Sequence, residues 1–148
     1  MIGLIDVNVL VALLVRVHEH HDRARKWLDD EGERDGWATC ALTELGAIRI
    51  CAQLPSRKEP KATAEAIVLL HEASQTHVYW PDTVSPATVA DVRSAATAKQ
   101  VSDRYLLGLA KRHGGRLVTF DRGAAEAGGS HALWLLPPAD APPVLNSE

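Results

Sequence analysis

At 148 residues, 46% of them hydrophobic, the chain is long enough to bury one substantial core and reads as a single globular domain. A formal charge of −3 gives no basic signature; it argues against tight non-specific nucleic-acid binding but leaves room for an enzyme whose acidic site is neutralised by metal ions. No apolar run approaches the roughly 18 residues of a membrane span, and Asp6 and Asn8 interrupt the apolar stretch that a signal peptide needs, so the expectation is a soluble, cytoplasmic protein with no membrane contact.

Met1-Ile2-Gly3-Leu4-Ile5 is a short apolar run without polar alternation, the pattern of a strand buried on both faces of a parallel sheet. Residues 7 to 31 return to helical spacing, in two pieces, and Gly32 and Gly36 bracket an acidic turn. Trp37-Ala38-Thr39 is a second strand. Residues 41 to 53 are helical, with Ala41, Leu45 and Ile48 on one stripe and Pro55 ending the run. A helix over 61 to 73 leads to a third strand, His77-Val78-Tyr79-Trp80. Residues 87 to 98 are weakly helical, and 101 to 113 form a strong helix closed by Gly114-Gly115. Arg116 to Phe120 is another buried strand, and Ala132 to Leu136 is the last. Strands alternating with helices imply right-handed crossovers and a three-layer α/β/α sandwich around a central parallel sheet. The domain is expected to span residues 1–136, followed by a Pro-rich tail over 137–148. Cys40 and Cys51 lie in no ligand or redox spacing and read as reduced, buried thiols.

Four acids occupy unusual places. Asp6 and Asp121 end strands; Glu44 and Asp103 lie near helix starts. Asp103 shares a helical face with Leu106, Leu107 and Ala110, and Glu44 shares one with Ala47, Ile48 and Cys51, so both fall on stripes expected to be buried. Taken singly, each acid is also explained as a helix cap or first-turn acid. Taken together, they gather at one edge of a parallel sheet, where like charges raise each other's pKa unless a cation binds. An all-oxygen set suits Mg²⁺ or Mn²⁺ rather than zinc. Such ions over a phosphodiester polarise the phosphate, activate water and stabilise the leaving oxygen. The pattern points to metal-dependent phosphoryl chemistry.

These same residues carry a family resemblance. Ile5-Asp6-Val7-Asn8-Val9-Leu10, Thr43-Glu44 opening a helix that contains Arg49, Val101-Ser102-Asp103-Arg104-Tyr105-Leu106, and Leu117-Val118-Thr119-Phe120-Asp121-Arg122-Gly123 resemble the PIN-domain ribonucleases. Within them the chain resembles the VapC toxins of bacterial toxin–antitoxin modules, and His21 to Trp27 is similar to a helix common there. The resemblance implies a PIN-like fold in which Asp6, Glu44, Asp103 and Asp121 hold Mg²⁺ or Mn²⁺ and carry catalysis. It implies that Asn8 and Thr119 steady the carboxylates and the water at the metal. The implied reaction is endonucleolytic hydrolysis of RNA, which in such toxins cuts transfer or ribosomal RNA and halts translation. It also implies a homodimer whose site a cognate antitoxin blocks.

Arg104 and Arg122, beside Asp103 and Asp121, are the candidate RNA-binding residues, with ion pairing to neighbours the competing explanation; Lys111, Arg112 and Arg116 follow in the same unit. His18, His20, His21 and Asp22 read as a solvated helix start rather than a second metal site, and the four tryptophans as core or partner contacts. Three other readings stay open. Asp6-x-Asn8 approaches the motif of haloacid-dehalogenase-like phosphatases, but Asn8 stands where their general acid would be. A response-regulator receiver needs a lysine after its last strand, and Ala132 to Pro138 contains none. A non-catalytic, partner-binding module on the same fold would keep all the acids.

Overall fold

The strands β1 (Gly3–Ile5), β2 (Trp37–Thr39), β3 (His77–Tyr79), β4 (Arg116–Thr119) and β5 (Ala132–Trp134) form one all-parallel sheet in the order β3-β2-β1-β4-β5. This is a computed structural model, and it describes residues 1–135; Leu136 and the tail from Pro137 lie outside the described residues. The strands are joined by α1 (Val7–Leu14), α2 (His21–Trp27), α3 (Glu33–Asp35), α4 (Ala41–Gln53), α5 (Pro60–Glu72), α6 (Ala90–Arg93), α7 (Val101–Arg112) and α8 (Arg122–Gly128).

Strand alternation sorts the side chains into two cores. Ile5, Trp37 and Val118 face one layer, with Val9 and Leu10 of α1, Trp27 of α2, Ala47 and Cys51 of α4, and Ile67 of α5. Leu4, Ala38 and Leu117 face the other, with Leu106, Leu107 and Ala110 of α7 and Ala124 of α8. Both faces are thus covered, as the continuous apolar strands require. Full burial of one such side chain, Leu106 for example, contributes roughly 2 kcal/mol. Among the described residues no helix is long and apolar enough to cross a membrane. Cys40 and Cys51 are free and buried.

Several elements depart from the sequence pattern. α2 does not stop at an acidic turn. It runs on through a π-helical segment, Leu28–Gly32, into α3, and the chain reverses only at Gly36, whose φ of 93° suits glycine. The stripe Ala41, Leu45, Ile48 is not the buried one: Leu45 is 67% exposed, and α4 buries Thr43, Ala47 and Cys51. The weakly helical stretch near 87–98 is broken into a 3₁₀ turn, Pro86–Thr88, the short α6 and a second 3₁₀ turn, Ala98–Gln100. α8 is a helix that periodicity does not predict, because Arg-Gly-Ala-Ala-Glu-Ala-Gly holds no apolar stripe.

Chain order reverses direction at β1, whose neighbours are β2 and β4. In a parallel sheet such a switch point opens a crevice beyond the carboxyl ends of the strands. Asp6 follows β1 and Asp121 stands one residue past Phe120 after β4, so both lie at that crevice.

Candidate active site

Asp6 is the N-cap of α1 and is only 5% exposed. Its Oδ1 accepts the Val7 N–H at 2.6 Å, and its Oδ2 accepts the Thr119 hydroxyl at 2.8 Å. The register explains this pairing: Ile5 lies opposite Val118, so the next residue of each strand is adjacent. Burial pushes the Asp6 carboxyl above the usual carboxylate range; the Thr119 and Val7 hydrogen bonds oppose that shift, and Asp121 adds to it.

Asp121 caps α8, its Oδ1 accepting the Ala124 N–H at 2.8 Å, while its own N–H donates to Thr119 Oγ1 at 3.0 Å. Capping and site placement therefore coincide at both strand-ending acids. Asp103 enters from the first turn of α7, on the face that buries Leu106, Leu107 and Ala110. Its carboxyl is pushed up to about 6, first by burial and then by the charges of Asp6 and Asp121, with Lys99 and Arg104 pulling the other way. A cleft of about 190 Å³ opens over Asp103 and Asp121, rimmed by Lys99, Gln100 and Arg104.

Glu44 keeps different company. It comes from α4 in the opposite layer, where its Oε1 accepts the Thr39 hydroxyl at 2.8 Å and lies 3.2 Å from His71 Nε2. Thr39 ends β2 on the face of Trp37, which strand alternation sets opposite to that of Leu4 and Leu117. Thr39 Oγ1 is also 2.8 Å from His77 Nε2, and the His71 and His77 rings stack with centroids 3.7 Å apart. Burial lowers the pKa of both imidazoles, with Glu44 opposing this at His71, and brings His77 down to about 4. His71 Nε2 also lies 3.5 Å from Thr39 Oγ1, so Thr39 and Glu44 both face this ring nitrogen. Thr39, His71 and His77 escaped the sequence reading. They meet Glu44 across long sequence separations, and the only local signal is Thr39, a polar residue ending a buried strand.

The remaining expected site residues are dispersed. Asn8 is exposed on the first turn of α1. Arg104 rims the cleft and donates to Ser94 Oγ at 2.8 Å. Arg122 donates to Glu126 at 2.9 Å and lies over Trp134, 5.4 Å from the ring centroid. Lys111 pairs with Asp91 and Arg116 with Glu31, away from the acids. The histidines near α2 hold local structure: His20 N–H donates to His18 Nδ1, and His21 Nδ1 contacts Ala12 O at 2.7 Å.

Among the described residues no three His, Cys, Asp or Glu side chains converge as a ready-made coordination sphere. The acids form an open set instead. Asp6, Asp103 and Asp121 influence one another's charge, and their donors are all oxygens. Magnesium keeps several of its waters and needs only one or two carboxylates, so this donor set fits a hard divalent ion.

Comparison with known proteins gives the same direction. Residues 3–129 match the PIN domain family model. Ribonuclease VapC44 of Mycobacterium tuberculosis is 47% identical over 129 residues, covering 84% of this chain and 89% of that protein. Ribonuclease VapC29 of the same organism is 38% identical over 133 residues, covering 90% and 96%. Among solved structures, FitAcB from Neisseria gonorrhoeae is similar with a TM-score of 0.63 at 24% identity, over 90% of this chain and 96% of that one. FitAB bound to the IR36 DNA fragment gives 0.62 at 20% identity, over 89% and 94%. At these identities the two structures speak for the fold.

Proposed function

Because the chain belongs to the PIN-domain family and, within it, to the VapC ribonucleases, which are RNA-cleaving toxins, we propose that Asp6, Asp103 and Asp121, joined by Glu44, carry endonucleolytic hydrolysis of RNA at the carboxyl end of the sheet. The observation that supports this most is the electrostatic influence among three aspartates at the switch point: burial first, and then the charges of Asp6 and Asp121, push Asp103 up to about 6. Carboxylates so placed repel one another unless a cation shares them.

Asp6, Asp103, Asp121 and Glu44 would hold Mg²⁺ or Mn²⁺. When bound, the ion supplies Lewis-acid polarisation of the phosphodiester and lowers the pKa of water. The chain's own residues supply position. Thr119 and the Val7 N–H hold Asp6, and the α8 cap holds Asp121, so both carboxylates are fixed before substrate arrives. Lys99 and Arg104 on the cleft rim offer positive charge to phosphates flanking the scissile bond. Arg122, outside that rim, contacts RNA further along the strand, and Asn8 steadies water at the edge.

The reading extends to the biology. The chain is the toxin of a cytoplasmic toxin–antitoxin pair, works as a homodimer, and halts translation by cutting transfer or ribosomal RNA until a cognate antitoxin covers the site. The nuclease domain spans residues 1–136, followed in sequence by the Pro-rich tail over 137–148. Controlled expression in a bacterial host tests this. Wild type arrests growth and generates fresh RNA ends, whereas Asp121→Asn, made in equal amount, does neither. Unchanged growth with intact RNA in cells that accumulate the folded wild-type chain would contradict it.

A further inference from the structure

The carboxyl edge of β4 and β5 carries a row of rings that the acid site does not use. His20 packs on Phe120 with centroids 4.8 Å apart, and His18 lies 5.8 Å from His20. The Phe120 carbonyl accepts the Trp134 indole N–H at 3.0 Å, and Arg122 lies over the Trp134 ring, 5.4 Å from its centroid. The row is held in place by its neighbours. The His20 backbone N–H donates to His18 Nδ1, His20 Nε2 lies 3.4 Å from Glu19 Oε1, and Arg122 Nε–H donates to Glu126. Among the described residues the Nη groups of Arg122 make no hydrogen bond. A core contact would bury these rings, as Trp27 and Trp37 are buried. Here the His20 side chain is 42% exposed and that of Arg122 61%, while Phe120 and Trp134 are half-buried.

The row adjoins the acid site through the chain itself. Phe120 and Arg122 flank Asp121, and consecutive Cα atoms lie about 3.8 Å apart. A strand whose phosphate reaches the Asp121 carboxylate therefore comes close to both. We propose that His20 and Phe120 form a stacking wall for an unpaired base of the RNA engaged at Asp121, and that Arg122, held over Trp134, contacts the phosphate beside that base. This rests on the reading of Asp121 as part of an RNA site, and it names the form of the substrate there: single-stranded RNA. Every base has a π-face, so such a wall holds a strand whatever its sequence. A duplex keeps its bases stacked on one another and presents no free face to the wall. Rings that merely closed the end of the sheet would affect folding and leave RNA affinity alone.

The test is binding of a fluorescein-labelled oligoribonucleotide of mixed sequence, single-stranded or as a duplex, to the purified full chain. Every chain carries Asp103→Asn, so that the RNA stays uncut in Mg²⁺, and anisotropy is followed across a salt series with thermal unfolding alongside. The parent should bind the single strand several-fold more tightly than the duplex. Phe120→Leu and His20→Ala should each weaken single-strand binding about fivefold or more at an unchanged salt slope, because a lost stack releases no counterions. His20→Phe keeps a ring and should bind nearly as the parent does. Arg122→Ala should lower the salt slope by about one. Should Phe120→Leu fail to fold, the two His20 variants decide alone. Parent-like affinity in folded Phe120→Leu and His20→Ala, with Arg122→Ala weakened, overturns the stacking wall while leaving RNA at this edge. Equal affinity for single strand and duplex overturns it as well. No binding of either RNA by the folded parent overturns the reading of this edge as an RNA site, and the wall with it.

Discussion

The Thr119 hydroxyl donates to Asp6 Oδ2 at 2.8 Å, a bond between residues 113 positions apart. Its oxygen accepts the Asp121 N–H at 3.0 Å, so one side chain ties together the two strand ends that carry the site. Thr119→Val removes a hydrogen bond that offsets the burial of Asp6. Asp6 should then hold its proton to higher pH, and the acid limb of the cleavage–pH profile should move upward. The same change should cost about 1–3 kcal/mol in denaturant unfolding, the usual cost of stranding a buried polar group. Thr119→Ser, which keeps the hydroxyl, should restore both; an unmoved acid limb in the valine variant would count against this link.

Asp103 predicts a pH dependence of opposite sign from an ordinary ion-paired acid. Its carboxyl sits at about 6 in the fold against an ordinary 3.8. Between those values the folded chain holds a proton that the unfolded chain has released, so this group's contribution to stability falls as pH rises through the window. Without added cation, Asp103→Asn should unfold at a higher temperature than wild type at about pH 7.5, and the difference should vanish below about pH 4. Mn²⁺ should favour wild type instead, because only the carboxylate gains a partner.

Capping and chemistry separate at Asp121. Asn caps a helix about as well as Asp, so Asp121→Asn should keep the α8 cap to Ala124 and the stability of the domain while cleavage falls by roughly 10²-fold or more. Asp121→Ala loses the cap too and should cost a further ~1 kcal/mol. If Asp121→Asn destabilised the fold as much as Asp121→Ala and still cleaved RNA, the acid would be a cap and nothing else.

Arg122 tests where RNA lies. Its guanidinium donates to Glu126 and lies over Trp134. Arg122→Ala should raise the KM for RNA several-fold and leave Mn²⁺ affinity unchanged, as measured on the same preparation. Loss of Mn²⁺ binding would instead make Arg122 a support of the acid site.

Much of this arrangement is legible in the chain because buried parallel strands announce themselves. Ile5-Asp6 and Phe120-Asp121 break apolar runs where a strand must end, and Asp103 interrupts the stripe of Leu106, Leu107 and Ala110. Other features depend on relationships that no local window contains. Leu45 reads as core by spacing, yet α4 turns Ala47 and Cys51 inward, and that rotation is set by packing against α1 and α5. α8 holds no apolar stripe; its start is marked only by Asp121 as a cap. The partition of Glu44 from the three aspartates follows from which face Thr39 occupies, which requires the register of β2 beside β1 and β3. His71 and His77 meet Thr39 only once those strands are paired.

The most direct measurement is RNA cleavage by the purified chain, free of any antitoxin, on total cellular RNA with Mg²⁺, Mn²⁺ or chelator, with new ends mapped by sequencing and Asp103→Asn run in parallel. The account predicts a small set of new ends that require the metal and are absent with the variant. Ends that persist in chelator or with folded Asp103→Asn would contradict it, because cleavage would then proceed without the shared carboxylates.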